Sequence, residues 1–363
     1  MNKRFDWKKI FNIALFVLSI GMLAYFCIAD NNLVTLLQSL HSLNLFWLLG
    51  AAGCMLLYWV MDSRIIFHII EHAYSGAYDG KKAFKVTMIG QYFNSVTPFA
   101  IAGQPMQLLA LSQQGVSSGI AISALVHKFL IYQTTITLYS LLVIVVRFQF
   151  FHNQIQGFMA LAFIGFACQA GIVVMVALFT YNRSLTTKLI NFVVWLLTKL
   201  HIVKKPQEAS KKVQNQLEFY ISNNKEMQGN RILSTRLYGF TVIQLTALFA
   251  VPFFIYKAFH NQGAPIIDII SAQSFVTMIS SYTPLPGASG AAEGSFLVLF
   301  QLFFVPSIIK QAMLLWRLIT YYSCILAGAF FAGMGVKSKK LSQNNFGTQL
   351  QPSQRTANEE MKP

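Results

Sequence analysis

Apolar residues in this chain gather in long runs, and the runs divide it. Residues 10–28, 43–61, 119–146, 155–180, 236–259 and 308–334 are almost uninterrupted. Each can cross a hydrocarbon core of about 30 Å at about 1.5 Å of helical rise per residue. They predict six full transmembrane helices. Trp47 and Trp59 fall near the ends of the second run, where aromatic rings favour the interface, and His152-Asn153-Gln154 separates the third from the fourth. Two further apolar regions are broken: 83–111 by Pro98, Gly103 and Pro105, and 266–304 by Pro284, Pro286, Gly287 and Gly290. Proline removes a donor and clashes with the preceding turn, so each region changes direction. The expectation is two re-entrant hairpins, each leaving on the side it entered. If the hairpins cross fully, the count becomes eight to ten spans. The fold class is an all-α polytopic membrane protein.

Composition agrees. The 363 residues are 55% hydrophobic and 11% charged, with a mean hydropathy of +0.52. Soluble domains carry about 25% charged residues, so a water-soluble enzyme is excluded. The net charge of +16 reads as loops beside an anionic leaflet rather than as a nucleic-acid surface. Lys3, Arg4, Lys8 and Lys9 precede the first run; Arg64, Lys81, Lys82 and Lys85 follow the second; Lys337, Lys339 and Lys340 follow the last. The loop 181–235 is also basic, whereas the linkers 29–42 and 260–265 contain no Lys or Arg. The positive-inside rule puts every basic region, and both termini, in the cytoplasm. The cysteines Cys27, Cys54, Cys168 and Cys324 lie in apolar stretches and read as small buried hydrophobes. Residues 1–335 read as one transmembrane domain, and 336–363, rich in Gln, Asn, Ser and Thr, as a disordered cytoplasmic tail.

The two broken regions resemble each other. Ser95, Thr97 and Pro98 match Ser281, Thr283 and Pro284 as Ser-x-Thr-Pro, and small residues follow each proline. A helix with one basic residue comes next, Lys128 in one case and Arg317 in the other. The charge bias makes the copies, about 43–147 and about 236–334, upside down relative to each other. Inverted repeats with broken helices are an alternating-access architecture.

Charges inside a bilayer need a partner or a wet cavity. Lys128, Glu293 and Arg317 are the intramembrane charges. Glu293 complements a helix N-terminus and comes within reach of Arg317. Lys128 has only the neutral Gln104 and Gln107 in its own repeat, so it reads as an unpaired ammonium that invites an anion. Amides at Gly103–Gln107 and Gly287–Gly290, with hydroxyls of Ser95, Thr97, Ser281 and Thr283, are expected to complete an anion site. Pro98, Gly103, Pro105, Pro284, Pro286, Gly287 and Gly290 are the expected hinges. Asn94 is a cap or cavity residue, His127 a helix–helix hydrogen bonder, and Asp62 with Arg64 an interfacial pair; Asp268 is a cap or dipole partner. No metal, cofactor or catalytic residue is expected: metalloprotease, phosphate-loop and nucleophile-elbow patterns do not occur.

The segments FNSVTPFAIAGQPMQLLAL (93–111), YTPLPGASGAAEGSF (282–296) and MLLWRLITYY (313–322) resemble the lysylphosphatidylglycerol synthase transmembrane region family. This family includes the flippase portion of the multiple peptide resistance factor. Pro284, Pro286, Gly287, Gly290, Glu293 and Arg317 fit its pattern, whereas Gln104 and Gln107 stand where glutamate and arginine are common. Full-length members synthesise aminoacylated phosphatidylglycerol in a separate cytoplasmic domain, for which a chain ending at Pro363 has no room. The resemblance therefore implies translocation without synthesis, in a bacterial cytoplasmic membrane.

The leading reading is flipping of a phospholipid or polyprenyl-linked lipid with an anionic headgroup. One alternative is a non-transporting partner that presents lipid to a separate cytoplasmic glycosyltransferase or aminoacyltransferase. The other is an intramembrane lipid-modifying enzyme. Homo-oligomerisation stays open.

Overall fold

The computed structural model describes residues 42–74, 78–154, 158–182, 184–185, 187–188, 230–281 and 283–333. The expected first span, most of the basic loop, Tyr282 and the tail lie outside the described residues. Every described element is helical.

Helix α1 (Leu45–Ala73) begins where the Asn44 side chain accepts from the Phe46 amide at 3.0 Å. Its 29 residues run well past position 61, because the apolar stretch Ile65–Ile70 continues the buried face beyond Asp62. Trp59 is therefore buried within the helix rather than placed near its end. Helix α2 (Gly80–Val96) is capped by Asp79, stops at Thr97-Pro98, and leads through one tight turn (Pro98–Ala100) into α3 (Gly103–Gln113). Gln114 donates to the Lys82 carbonyl, Gln107 to that of Val86, and the Gly103 amide to Asn94. Those descending pairs make α2 and α3 antiparallel.

Helix α4 (Ser118–Gln154) follows with 37 residues, then α5 (Phe158–Tyr181). Helix α6 (Arg231–Ala258) starts at an Asn230 cap. Helix α7 (Ile266–Ser280), a second tight turn (Pro286–Ala288) and α8 (Ala291–Phe300) form the other broken region. Helix α9 (Ile309–Arg317) passes through a π turn (Leu318–Tyr322) into α10 (Ser323–Gly333).

Among the described residues, four helical stretches are long and apolar enough to cross a membrane: Leu45–Ala73, Ser118–Gln154, Arg231–Ala258 and Ile309–Gly333. Shorter apolar stretches, Ala162–Leu178 and Ile266–Ser280, lie in α5 and α7. Large apolar side chains stay exposed along the outer faces, including Phe46, Leu142, Val145, Phe163 and Phe330. A surface of that kind is solvated by lipid. Of the described cysteines, Cys324 is buried and Cys54 half-buried, but Cys168 is exposed rather than buried, on the apolar helix α5.

Helices α1 and α6 run antiparallel along each other. The Asn44 amide reaches the Ala258 carbonyl, Trp47 meets Phe254, Asp62 meets Gln244 and His68 stacks on Phe240. Two large apolar cores form around them. One joins the Ile65–Ile70 end of α1, the start of α4 and the start of α6 to α2 and α3. The other joins the opposite ends of the same three helices to α7, α8 and α9. The broken regions thus sit at opposite ends of the long helices. Their two tight turns nonetheless touch, because α2 reaches far enough to pack on the second turn.

Helix α10 also packs on α2, and Gly328 makes that approach. A Cβ there would lie 2.7 Å from the Tyr92 Cβ and 2.8 Å from the Met88 carbonyl oxygen. A Cβ on Gly294 of α8 would meet nothing within 4 Å. Gly328→Ala is expected to cost about 1–3 kcal/mol by prising α10 from α2. Gly294→Ala is expected to be neutral or to stabilise by up to about 1 kcal/mol. Thermal unfolding of the purified variants in detergent checks both.

Candidate functional site

The second break is built from a proline, three left-handed residues and a buried ion pair. Pro286 opens the turn; Gly287, Ala288 and Gly290 have φ of 61°, 53° and 89°. Gly287 is required twice, since a Cβ there would also lie 2.2 Å from the Tyr321 ring. Glu293, in the first turn of α8, reaches back so that its Oε2 accepts from the Gly290 amide at 2.6 Å. Its Oε1 accepts from Arg317 Nε at 2.7 Å, joining α8 to α9. Arg317 Nη1 donates to the Gly287 carbonyl at 3.0 Å. The guanidinium lies beside the Trp316 and Tyr321 rings, at 5.0 and 5.3 Å from their centroids. Its Nη2 is buried and has no hydrogen-bond partner among the described residues. The expected Glu293–Arg317 reach is therefore made, with donor capacity left over.

The first break opens on the same turn but has different chemistry, and its last two residues, Ile101 and Ala102, are right-handed where Ser289 is extended and Gly290 has positive φ. Pro98 is followed by Phe99 and Ala100 at φ of 54° and 53°, and helix starts at Gly103, as it starts at Ala291 after Pro286. The structural register therefore pairs Pro98 with Pro286. The Ser-x-Thr-Pro match with Pro284 is displaced by two residues, because Pro284-Leu285 extends the approach to the second turn. Asn94 acts as the cap, its Oδ1 accepting from the Gly103 amide at 3.0 Å.

Most of the expected anion-binding amides are occupied by the chain itself. Besides Gly103 and Gly290, the amides of Met106, Ala288 and Ser289 bond to the carbonyls of Ala102, Leu285 and Pro286. Hydroxyl protons are also committed: Ser95, Thr97 and Ser281 donate to the carbonyls of Gln91, Phe93 and Thr277. Buried Gln107 packs against Gly90 and donates to Val86, whereas Gln104 and Pro105 are exposed. Thr283 is half-buried, and Pro284 is exposed.

Lys128 is not an unpaired ammonium. Its Nζ lies 2.8 Å from Asp62 Oδ2, and Gln244 Nε2 donates to Asp62 Oδ1 at 3.0 Å. Asp62 is 3% exposed, so it is a buried partner of α4 and α6, not half of an interfacial pair with Arg64. The sequence signal was the apolar run Ile65–Ile70, which keeps Asp62 inside a helix. Asp268, in the first turn of α7, pairs with Arg147 of α4 at 2.8 Å. Nothing in sequence spacing marked Arg147 or Gln244 as partners. His127 is buried, and its Nε2 has no hydrogen-bond partner.

A polar path connects the two breaks and the ion pairs. Tyr321 donates to the Ser95 carbonyl at 2.9 Å, and Ser95 donates to that of Gln91. Gln91 donates to the Tyr58 hydroxyl at 3.3 Å, one turn of α1 from Asp62.

These features define a polytopic helical membrane protein with a charged, buried interior. The chain belongs to the family described as the lysylphosphatidylglycerol synthase TM region, whose model matches residues 11–328. That match is to the membrane region of the family and is consistent with contact with membrane lipids and with lipid translocation. The chain is also similar to a UPF0104 membrane protein of Archaeoglobus fulgidus, 25% identical over 308 residues, covering 82% of this chain and 86% of that protein.

Glu293→Gln keeps an acceptor for the Gly290 amide but removes the charge facing Arg317. It is expected to destabilise by about 3–5 kcal/mol, and Glu293→Gln with Arg317→Met to recover part of the loss. A thermal-unfolding mutant cycle in detergent measures this.

Proposed function

We propose that the protein moves a phospholipid or polyprenyl-linked lipid across the cytoplasmic membrane, the anionic headgroup passing between two inverted halves while the acyl chains remain in bilayer. The first half comprises about residues 43–147 and the second about 236–334, with the loop 181–235 and both termini cytoplasmic. Support for inversion comes from the two broken regions packing at opposite ends of the same long helices. In this reading each region is a re-entrant hairpin, and the left-handed turns after Pro98 and Pro286 are the points where it bends.

The observation that carries the reading is Arg317. A guanidinium buried to 6% exposure, held by Glu293 and the Gly287 carbonyl, has an Nη2 without a hydrogen-bond partner among the described residues. Buried charged donors left unpaired are costly, and a phosphate oxygen satisfies this one. Arg317 is then the first phosphate contact and Glu293 its orienting carboxylate. Lys128 is a second contact once it leaves Asp62. Ser95, Thr97, Ser281 and Thr283 border the path, with Gln104 at the exposed start of α3 and Gln107 holding α3 to α2. Pro98, Gly103, Pro105, Pro284, Pro286, Gly287 and Gly290 shape the moving turns.

Proteoliposomes with fluorescent phosphatidylglycerol, read by dithionite quenching, test this. The wild-type protein is expected to equilibrate the label between leaflets faster than protein-free vesicles. Arg317→Ala is expected to slow it at least about tenfold, the loss of one charged hydrogen bond, while Gly294→Ala keeps the rate. Wild-type vesicles no faster than empty ones would overturn the proposal, and movement only with an added transferase would favour lipid presentation instead.

A further inference from the structure

The Asp62 cluster is not needed to hold a phosphate at Arg317, and a buried ion pair is poor value as structural glue. It joins three helices that are distant in the chain: Asp62 on α1, Lys128 on α4 and Gln244 on α6. It is also asymmetric toward its surroundings, the Lys128 side chain being 14% exposed and that of Asp62 4%. Of the two partners, the Lys128 side chain is therefore the one more open to an incoming group.

Gln244 is the informative member. Its Nε2 donates to the Asp62 carboxylate, while its Oε1 is buried with no hydrogen-bond partner among the described residues. A primary amide carries a donor and an acceptor of nearly the same shape. Turned over, the same side chain accepts from a protonated carboxyl instead. An arginine or lysine at this position could serve only the ionised form. The other groups facing Asp62 do not carry a compensating charge. They are Tyr58 on its own helix, Tyr132 on α4 and Cys324 on α10. His127 is the next imidazole along α4, and α3, which packs on α4, contains no titratable residue.

We propose that Asp62 takes up one proton when Lys128 takes up one lipid phosphate, making the protein a proton–phosphodiester symporter. This deepens the transport reading and rests on it. Empty, the cluster holds one carboxylate and one ammonium. A proton from water binds Asp62 Oδ1 and is donated to the Oε1 of the turned Gln244 amide. The Lys128 Nζ–H to Oδ2 bond breaks, the ammonium keeps its proton, and it pairs with the phosphate monoanion. Empty and loaded clusters have the same net charge of zero, so neither state leaves an uncompensated ion in the low-dielectric interior. Proton and phosphate bind together because each compensates the charge that the other brings, and the coupling is reciprocal.

Proteoliposomes of phosphatidylcholine with a minor share of phosphatidylglycerol in both leaflets, a trace of it fluorescent, given a pH difference and a permeant ion to clamp the voltage, test this. Wild-type protein is expected to accumulate label in the leaflet facing the alkaline side, approaching about tenfold per pH unit for one proton per lipid. An internal pH dye should report protons entering with the lipid. Asp62→Asn, a mimic of the protonated carboxyl, is expected to exchange labelled for unlabelled lipid with a leaflet ratio near one at any pH difference. Wild-type movement that ignores the gradient overturns the symport while leaving lipid movement intact. A gradient bias retained by Asp62→Asn, or no exchange by a folded Asp62→Asn, also overturns it. No lipid movement by the wild-type protein under any condition overturns the transport reading, and the symport with it.

Discussion

An ion in a medium that cannot solvate it must find its counter-ion within the protein. Three such pairs organise the described structure, and each ties together elements distant in sequence. Asp62–Lys128 joins α1 to α4, Arg147–Asp268 joins α4 to α7, and Glu293–Arg317 joins α8 to α9. Apolar packing alone specifies helix contacts weakly in lipid, because the solvent is as apolar as the side chains. The pairs supply what packing lacks, a fixed choice of partner and depth. Gln244 and Tyr321 extend that specification to α6 and α2 through single hydrogen bonds.

The same constraint accounts for the breaks. An interrupted helix in a membrane exposes amides that water cannot reach. Here the chain supplies most of the partners itself, through Asn94 at the first break and Glu293 at the second. Glu293 thereby serves two neighbours at once, an amide of its own turn and a guanidinium from another helix. The first break, capped by a neutral amide, makes no demand for a cation nearby. That difference leaves charge at the second break and none at the first, although both open on the same proline-led turn.

Much of the fold was legible because apolar run length and proline position act locally. Four of the six expected spans coincide with described helices long enough to cross, and both proline clusters interrupt helices where expected. The Glu293–Arg317 contact was also readable, because two opposite charges in adjoining apolar segments have few alternatives. Lys128 was misread for a complementary reason. Its partner lies 66 positions away, just beyond an apolar run that stops at 61 on a helix that continues to Ala73, and distance in the chain carries no pairing signal. Likewise the repeated Ser-x-Thr-Pro suggested a register two residues away from the one that the left-handed turns define. Letters were matched there, whereas backbone sterics decide where a helix turns.

The π turn at Leu318–Tyr322 separates two stretches with different attachments. Beyond it, α10 is seated against α2 by the bare backbone at Gly328; before it, α9 presents Arg317 to the second break. A π turn stores one residue more than the α-helical count, so α9 leaves it turned by about 100° from the direction that an unbroken α-helix would give it. The extra residue thus lets one continuous rod serve two masters, its tail set by the close approach at Gly328 and its guanidinium by the geometry of a different helix pair.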